Sequence, residues 1–115
     1  MATRKEEPTF EKGVCILTGH DGQCLELNES TWNDHIIRDS GRAYFRGQFG
    51  KIQLTARSPD RIISDAIEKN VVHYEKFFVD FCILNSIRQE AYLYVIANCK
   101  TLRVRTIYLN YKAAH

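Results

Sequence analysis

The sequence predicts an α+β domain: an N-terminal β-hairpin, two helices, then a twisted antiparallel sheet of about four strands. Three observations lead there. Between Trp32 and Ala56 the large apolar side chains recur at helical intervals. From Asn70 onward the chain is rich in Val, Ile, Phe and Tyr, which suit a pleated, half-buried surface. The helical and strand-like regimes are also segregated along the chain, the pattern of α+β proteins and not of alternating βαβ units.

With 115 residues, 44% of them apolar and 26% charged, the chain suffices for one domain around one core. We divide it into a flexible arm over residues 1–13, a domain over 14–111 and a tail over 112–115. Val14–Leu17 and Cys24–Leu27 are short apolar runs separated by Thr18-Gly19-His20-Asp21-Gly22, whose turn residues predict a hairpin. Asn28 stands where an N-cap is expected for a first helix ending near Asp39, before the Ser40-Gly41 break. Trp32 and Ile36 lie one turn apart on it, with His35 beside them. A second helix follows from the 4-3-4 spacing of Phe45, Phe49, Ile52 and Ala56, and Ser58-Pro59-Asp60 stops it.

Arg61–Ser64 reads as a short strand and Asn70–Leu84 as one long or bent strand, with a turn over Asn85–Gln89. Ala91–Ala97 and Leu102–Leu109 predict a hairpin around Asn98–Thr101. Simple alternation puts Leu102, Val104, Thr106 and Tyr108 on one face, and Arg103, Arg105, Ile107 and Leu109 on the other. On the long strand His73 and Glu75 share one face, Tyr74 and Lys76 the other.

The formal charge of +2 is too small to announce a nucleic-acid binder, so only clustered basic residues bear on that class. Residues 1–13 have no apolar stretch and no later run reaches membrane-spanning length, which argues against a secretory signal and a membrane partner and for a cytoplasmic protein. Cys15, Cys24, Cys82 and Cys99 are too scattered for a zinc site and are expected as reduced, mostly buried thiols. A Cys15–Cys24 approach across the hairpin is the less favoured alternative.

Trp32-x-x-His35-Ile36, then Leu54-Thr55 with Pro59-Asp60, then Tyr92–Ile96 and Val104-Arg105-Thr106-Ile107-Tyr108 form an ordered series over Leu25–Tyr108. The series resembles the phage-encoded members of the barnase–EndoU–colicin–RelE-like nuclease superfamily. Where those proteins often carry His-Pro-Glu after the first helix, this chain has Arg38-Asp39-Ser40-Gly41. The resemblance implies a phage, mobile-element or toxin setting and metal-independent RNA cleavage, with no cofactor.

Such chemistry needs a group to deprotonate the ribose 2′-hydroxyl, a group to protonate the leaving 5′-oxygen, and cations for the developing phosphorane charge. His35 is the candidate acid/base group, with a hydrogen-bonded structural histidine as the even alternative. Arg38 as cation, Tyr74 as proton donor and Lys76 as phosphate contact complete the candidate catalytic set; salt pairing of Glu75 and of Lys76 with partners on neighbouring strands is the plainer alternative. Arg42, Arg46, Arg103, Arg105 and Tyr108 form the candidate RNA-binding set, with Thr106 secondary. A solvated helix face and a half-exposed edge strand explain the same arginines without RNA. The rival function is a non-catalytic protein-binding module or inhibitor, engaging an antitoxin or a host or viral complex through Tyr92, Tyr94, Tyr108 and Tyr111. A homodimer joined through an edge strand is the third.

Overall fold

The computed structural model describes residues 7–37, 45, 47–84 and 87–111. It is α+β, as the sequence predicts, but the hairpin and the downstream strands form one mixed sheet of six strands among the described residues. These are β1 (Val14–Thr18), β2 (Cys24–Asn28), β3 (Arg61–Ser64), β4 (Val71–Leu84), β5 (Ile87–Asn98) and β6 (Arg103–Tyr111), in the order β1-β2-β6-β5-β4-β3. All neighbours are antiparallel except β2 and β6, which meet in parallel with Glu26 opposite Arg103. Glu26 N–H donates to the Leu102 carbonyl there, at 2.7 Å. So brief and non-local a junction leaves no periodic trace in the sequence.

The β1–β2 hairpin works by alternation. Cys15, Leu17, Leu25 and Leu27 turn inward and are buried, whereas Ile16 points out and is exposed. Gly22 takes φ +85°, and the Asp21 carboxylate accepts the Gln23 amide at 3.1 Å. Residues 1–6 of the expected arm lie outside the described residues. Phe10 packs on the core and Glu11 bridges to Val14. All four cysteines are free, but Cys24 and Cys99 are exposed, against the expectation of mostly buried thiols. Cys15 pairs with Leu27 and Cys24 with Thr18, so Cys15 and Cys24 do not oppose each other.

The first helix is shorter than its expected span. Its α-helical part, α1, is only Glu29–Thr31, and it widens into a π-helical turn over Trp32–Ile36, closed by Ile37 N–H on the Trp32 carbonyl at 3.0 Å. Asn28 occupies the N-cap with extended dihedrals, but its side chain makes no cap bond; the Glu29 amide instead donates to Gly13 O at 2.8 Å. Trp32, Ile36 and Ile37 are all buried, and the Trp32 ring meets Phe49 edge-on at 5.8 Å.

The second helix, α2, runs Phe49–Arg57 and buries Phe49, Ile52, Thr55 and Ala56. Phe45 precedes it instead of opening it, yet is fully buried, edge-on to Phe81 at 6.0 Å. Between them the buried Gln48 side chain acts like a strand residue: Nε2 donates to the Cys82 carbonyl at 2.5 Å and Oε1 accepts the Cys82 amide at 3.0 Å. Both bonds fall beside irregularities in the β4–β5 pairing, where the ladder leaves backbone groups to satisfy. Pro59 ends the helix, and the connection is then pinned to β4: Asp60 N–H donates to Glu75 O at 2.7 Å, and Asp60 Oδ2 accepts the Phe77 amide at 2.8 Å.

α2 packs against β1, β4 and β5. The sheet face it covers carries Tyr74, Phe81, Ala91, Leu93, Val95, Ala97, Val104 and Ile107, all buried. Asn85–Gln89 is not wholly a turn, since β5 already begins at Ile87. The expected alternation of the last strand fails for a definite reason. Ala97 pairs with Val104 and Ile96 with Thr106, so Arg105 is a bulge residue and the faces exchange across it. Val104, Ile107 and Leu109 therefore face the core, and Thr106 and Tyr108 face away. No helix of the described residues is long and apolar enough to cross a membrane.

Candidate functional site

The face away from α2 is where the polar side chains collect. By register it carries Arg61 and Ile63 of β3, His73 and Glu75 of β4, Tyr94 and Ile96 of β5, and Thr106 and Tyr108 of β6. A groove of about 750 Å³ opens on it, walled by the first helix on one side and the β3–β4 loop on the other. β2 leads straight into α1, and β2 lies parallel to β6, so the π turn comes to rest beside β6. Trp32 and Ile36 use the inner side of that turn; His35 is exposed and lines the groove.

The opposite wall is built by Asp65. Its Oδ2 accepts the amides of Ile67 at 3.0 Å and Glu68 at 2.8 Å, and its amide donates to Val71 O at 2.9 Å. Asn70 completes the reversal at φ +64°. The other carboxylate oxygen, Oδ1, lies 2.8 Å from His73 Nε2 on the groove floor. The bond to His73 and the Ile67 amide hold the Asp65 carboxyl below its ordinary range. Arg105, aimed by the bulge, forms an ion pair with Glu68 at the rim, and Arg103 lies beside it at the start of β6.

Next to the groove a carboxylate is buried. Glu75, 3% exposed, is held by Arg61 through Nε at 2.6 Å and Nη2 at 3.0 Å, and the Tyr94 hydroxyl donates to it at 2.5 Å. Tyr94 stacks on Tyr108 with ring centres 4.6 Å apart and planes 11° from parallel. Tyr108 lines the groove, so the ion pair braces the ring that forms its floor. Arg61 keeps the Glu75 carboxyl below its usual range, with Tyr94 adding to the effect. That contribution to stability is present above the unfolded carboxyl value of about 4.3 and is lost as pH falls through the lower folded one.

Burial, and then the Glu75 carboxylate, push the Tyr94 hydroxyl up to about 12. Its neutral form thus stabilises the fold below the ordinary tyrosine value near 10, and this is lost as pH rises through the folded value. Burial pushes the Tyr74 and Tyr108 hydroxyls up as well, so a spectrophotometric titration should show late tyrosine ionisation, and Tyr94→Phe should remove its last step. An unaltered curve in the variant would contradict the assignment.

Of the sequence-derived candidates, His35, Arg103, Arg105 and Tyr108 come together in this groove, as does the secondary candidate Thr106. Tyr74 and Lys76 do not: they lie on the other sheet face, apart from the groove. Tyr74 is 3% exposed beneath the His20 ring, and Lys76 Nζ donates to Ser58 O at 2.8 Å with Asp60 at 3.4 Å. Lys76 therefore fastens the α2–β3 connection through Asp60, while Glu75 pairs across strands with Arg61. Arg38, Arg42 and Arg46 lie outside the described residues.

The dyad of His73 and Asp65 is absent from the candidate sets drawn from sequence. Alternation signalled the face of His73, but Asp65 sits in a loop without a motif. Among the described residues no group of three His, Cys, Asp or Glu side chains is arranged to hold a metal ion, and every buried side-chain nitrogen or oxygen has a partner. No family model, curated protein or solved structure matches the chain.

Proposed function

We propose that this protein is a metal-independent RNA-cleaving or RNA-binding domain of the phage, mobile-element or toxin type, acting in the cytoplasm through the groove on the sheet face away from α2. The observation that carries the reading is the meeting of His35 with Arg103, Arg105, Thr106 and Tyr108 in that groove. An imidazole moves protons near neutral pH, guanidinium groups meet phosphate oxygens in pairs, and a braced phenol ring offers a face for an unpaired base. The resemblance of Trp32-x-x-His35-Ile36 to the phage nuclease pattern supports the same choice.

The rival protein-binding reading depended on exposed tyrosines. Tyr92, Tyr94 and Tyr108 are instead half-buried, Tyr94 on Glu75 and Tyr108 on Tyr94. Tyr108, backed by Tyr94, fits a supported groove floor better than a docking patch.

Binding to single-stranded RNA should weaken steeply as salt rises, because phosphate contacts release condensed counterions. Arg103→Ala should lower affinity at every sequence and reduce the salt slope by about one contact, with an unchanged melting temperature. Absence of RNA binding even at low salt would hand the groove to a protein ligand.

A further inference from the structure

We infer that His73, held by Asp65, is the second acid/base group of the groove and takes the 2′-hydroxyl proton of an RNA substrate while His35 protonates the leaving oxygen. This rests on the RNA-cleaving reading and adds a residue to it.

A strand histidine on a solvated face needs no fixed partner. His73 has one: its side chain is 23% exposed and Nε2 is 2.8 Å from Asp65 Oδ1, itself 26% exposed. Asp65 is in turn immobilised by the Ile67 and Glu68 amides, so the carboxylate cannot swing away from the ring. The β3–β4 loop is already closed by those bonds and by Asp65 N–H on Val71 O. Turn formation alone therefore gives no reason for an imidazole here.

The pairing has a direct chemical consequence. An ionised carboxylate only accepts, so Nε2 carries the hydrogen and the neutral ring keeps its lone pair on Nδ1. Among the described residues Nδ1 has no protein partner. The charged and titratable groups that line the groove with the ring are Asp65 and Glu68 from the loop, Arg103, Arg105 and Tyr108 from β6, and His35 from the π turn; the Glu75–Arg61 pair lies next along the same sheet face. On the flanking strands β3 and β5 the residues opposite it are Ile63 and Ile96, which carry no charge. His35, Asp65 and Glu68 thus stand on the walls, and Arg103 and Arg105 on β6 between them.

The step balances with these two rings. Nδ1 of His73 accepts the 2′-hydroxyl proton, the 2′-oxygen bonds to phosphorus, the phosphorus–O5′ bond breaks, and O5′ takes a proton from protonated His35. The products are a 2′,3′-cyclic phosphate and a 5′-hydroxyl, and exchange with water restores both rings. Asp65 is a positioning residue: it fixes the tautomer and supports the positive charge His73 acquires.

The test is single-turnover cleavage of single-stranded RNA by the full chain across pH. The wild type should give a bell-shaped profile. His73→Gln, which can still hydrogen-bond Asp65, should slow cleavage about 100- to 10,000-fold and abolish the acid limb, with RNA affinity retained. Asp65→Asn should slow cleavage and, in nitrogen NMR, release the ring from the single Nε2-protonated tautomer. A substrate with sulfur at the 5′-bridging position needs no acid, so it should rescue His35→Ala and leave His73→Gln slow. Nitrogen NMR of the wild type, which requires no variant, should find neutral His73 protonated on Nε2. Full-rate cleavage by folded His73→Gln, or the opposite tautomer, overturns the role of His73 alone. Wild-type protein inert on RNA overturns the RNA-cleaving reading together with it.

Discussion

Trp32→Ala is expected to lower the stability of the domain by about 3–5 kcal/mol, the range for removing a large buried aromatic. Trp32 is 2% exposed and closes against Phe49 of α2, so its removal leaves a large cavity where the first helix meets α2, with Ile36 and Ile37 still in place. Small domains have about 5–15 kcal/mol in hand, so the variant should unfold at far lower urea or not fold at all. Trp32→Phe, which fills part of the space, should fall between the two. The same π turn carries His35, so residual folded Trp32→Ala protein should also handle RNA poorly. An unchanged unfolding midpoint would show that the indole is not part of the core.

His35→Ala is expected to reduce RNA cleavage by about 100- to 10,000-fold, the usual worth of a positioned acid or base. Its exposure on the outer side of the turn means that the melting temperature should move little. The combination distinguishes chemistry from structure: a variant that melts early would mark His35 as a structural histidine, and one that cleaves at full rate would remove it from the site.

Periodicity made the apolar framework legible: Trp32 with Ile36, and Phe49, Ile52 and Ala56, are buried as their spacing requires. Pro59 announced the end of α2 because the residue before proline is driven out of the helical region. What escaped the sequence depended on single non-local contacts or on local irregularity. The β2–β6 junction joins chain segments far apart in sequence through one short parallel contact, which converts a separate hairpin into part of a mixed sheet. The π turn adds no residue type that differs from an α-helix, so the early end of the first helix left no signature.

The bulge at Arg105 had the largest consequence for the site. Strict alternation groups Val104 with Thr106 and Tyr108, whereas the bulge buries the Val104 side chain in the core and leaves the other two on the opposite face. Tyr74 and Lys76 were separable from His73 and Glu75 by alternation, but the face covered by α2 depends on packing across the whole sheet. For Lys76 that face is structural.

Whether the groove cleaves RNA through its own 2′-hydroxyl is tested most directly by comparing an RNA strand with its fully 2′-deoxy counterpart, both in the presence of a chelator. The expected result is cleavage of the RNA to fragments ending in 2′,3′-cyclic phosphate, with the deoxy strand intact and the rate indifferent to chelator. An intact RNA strand, equal cleavage of the deoxy strand, or activity abolished by the chelator would contradict it.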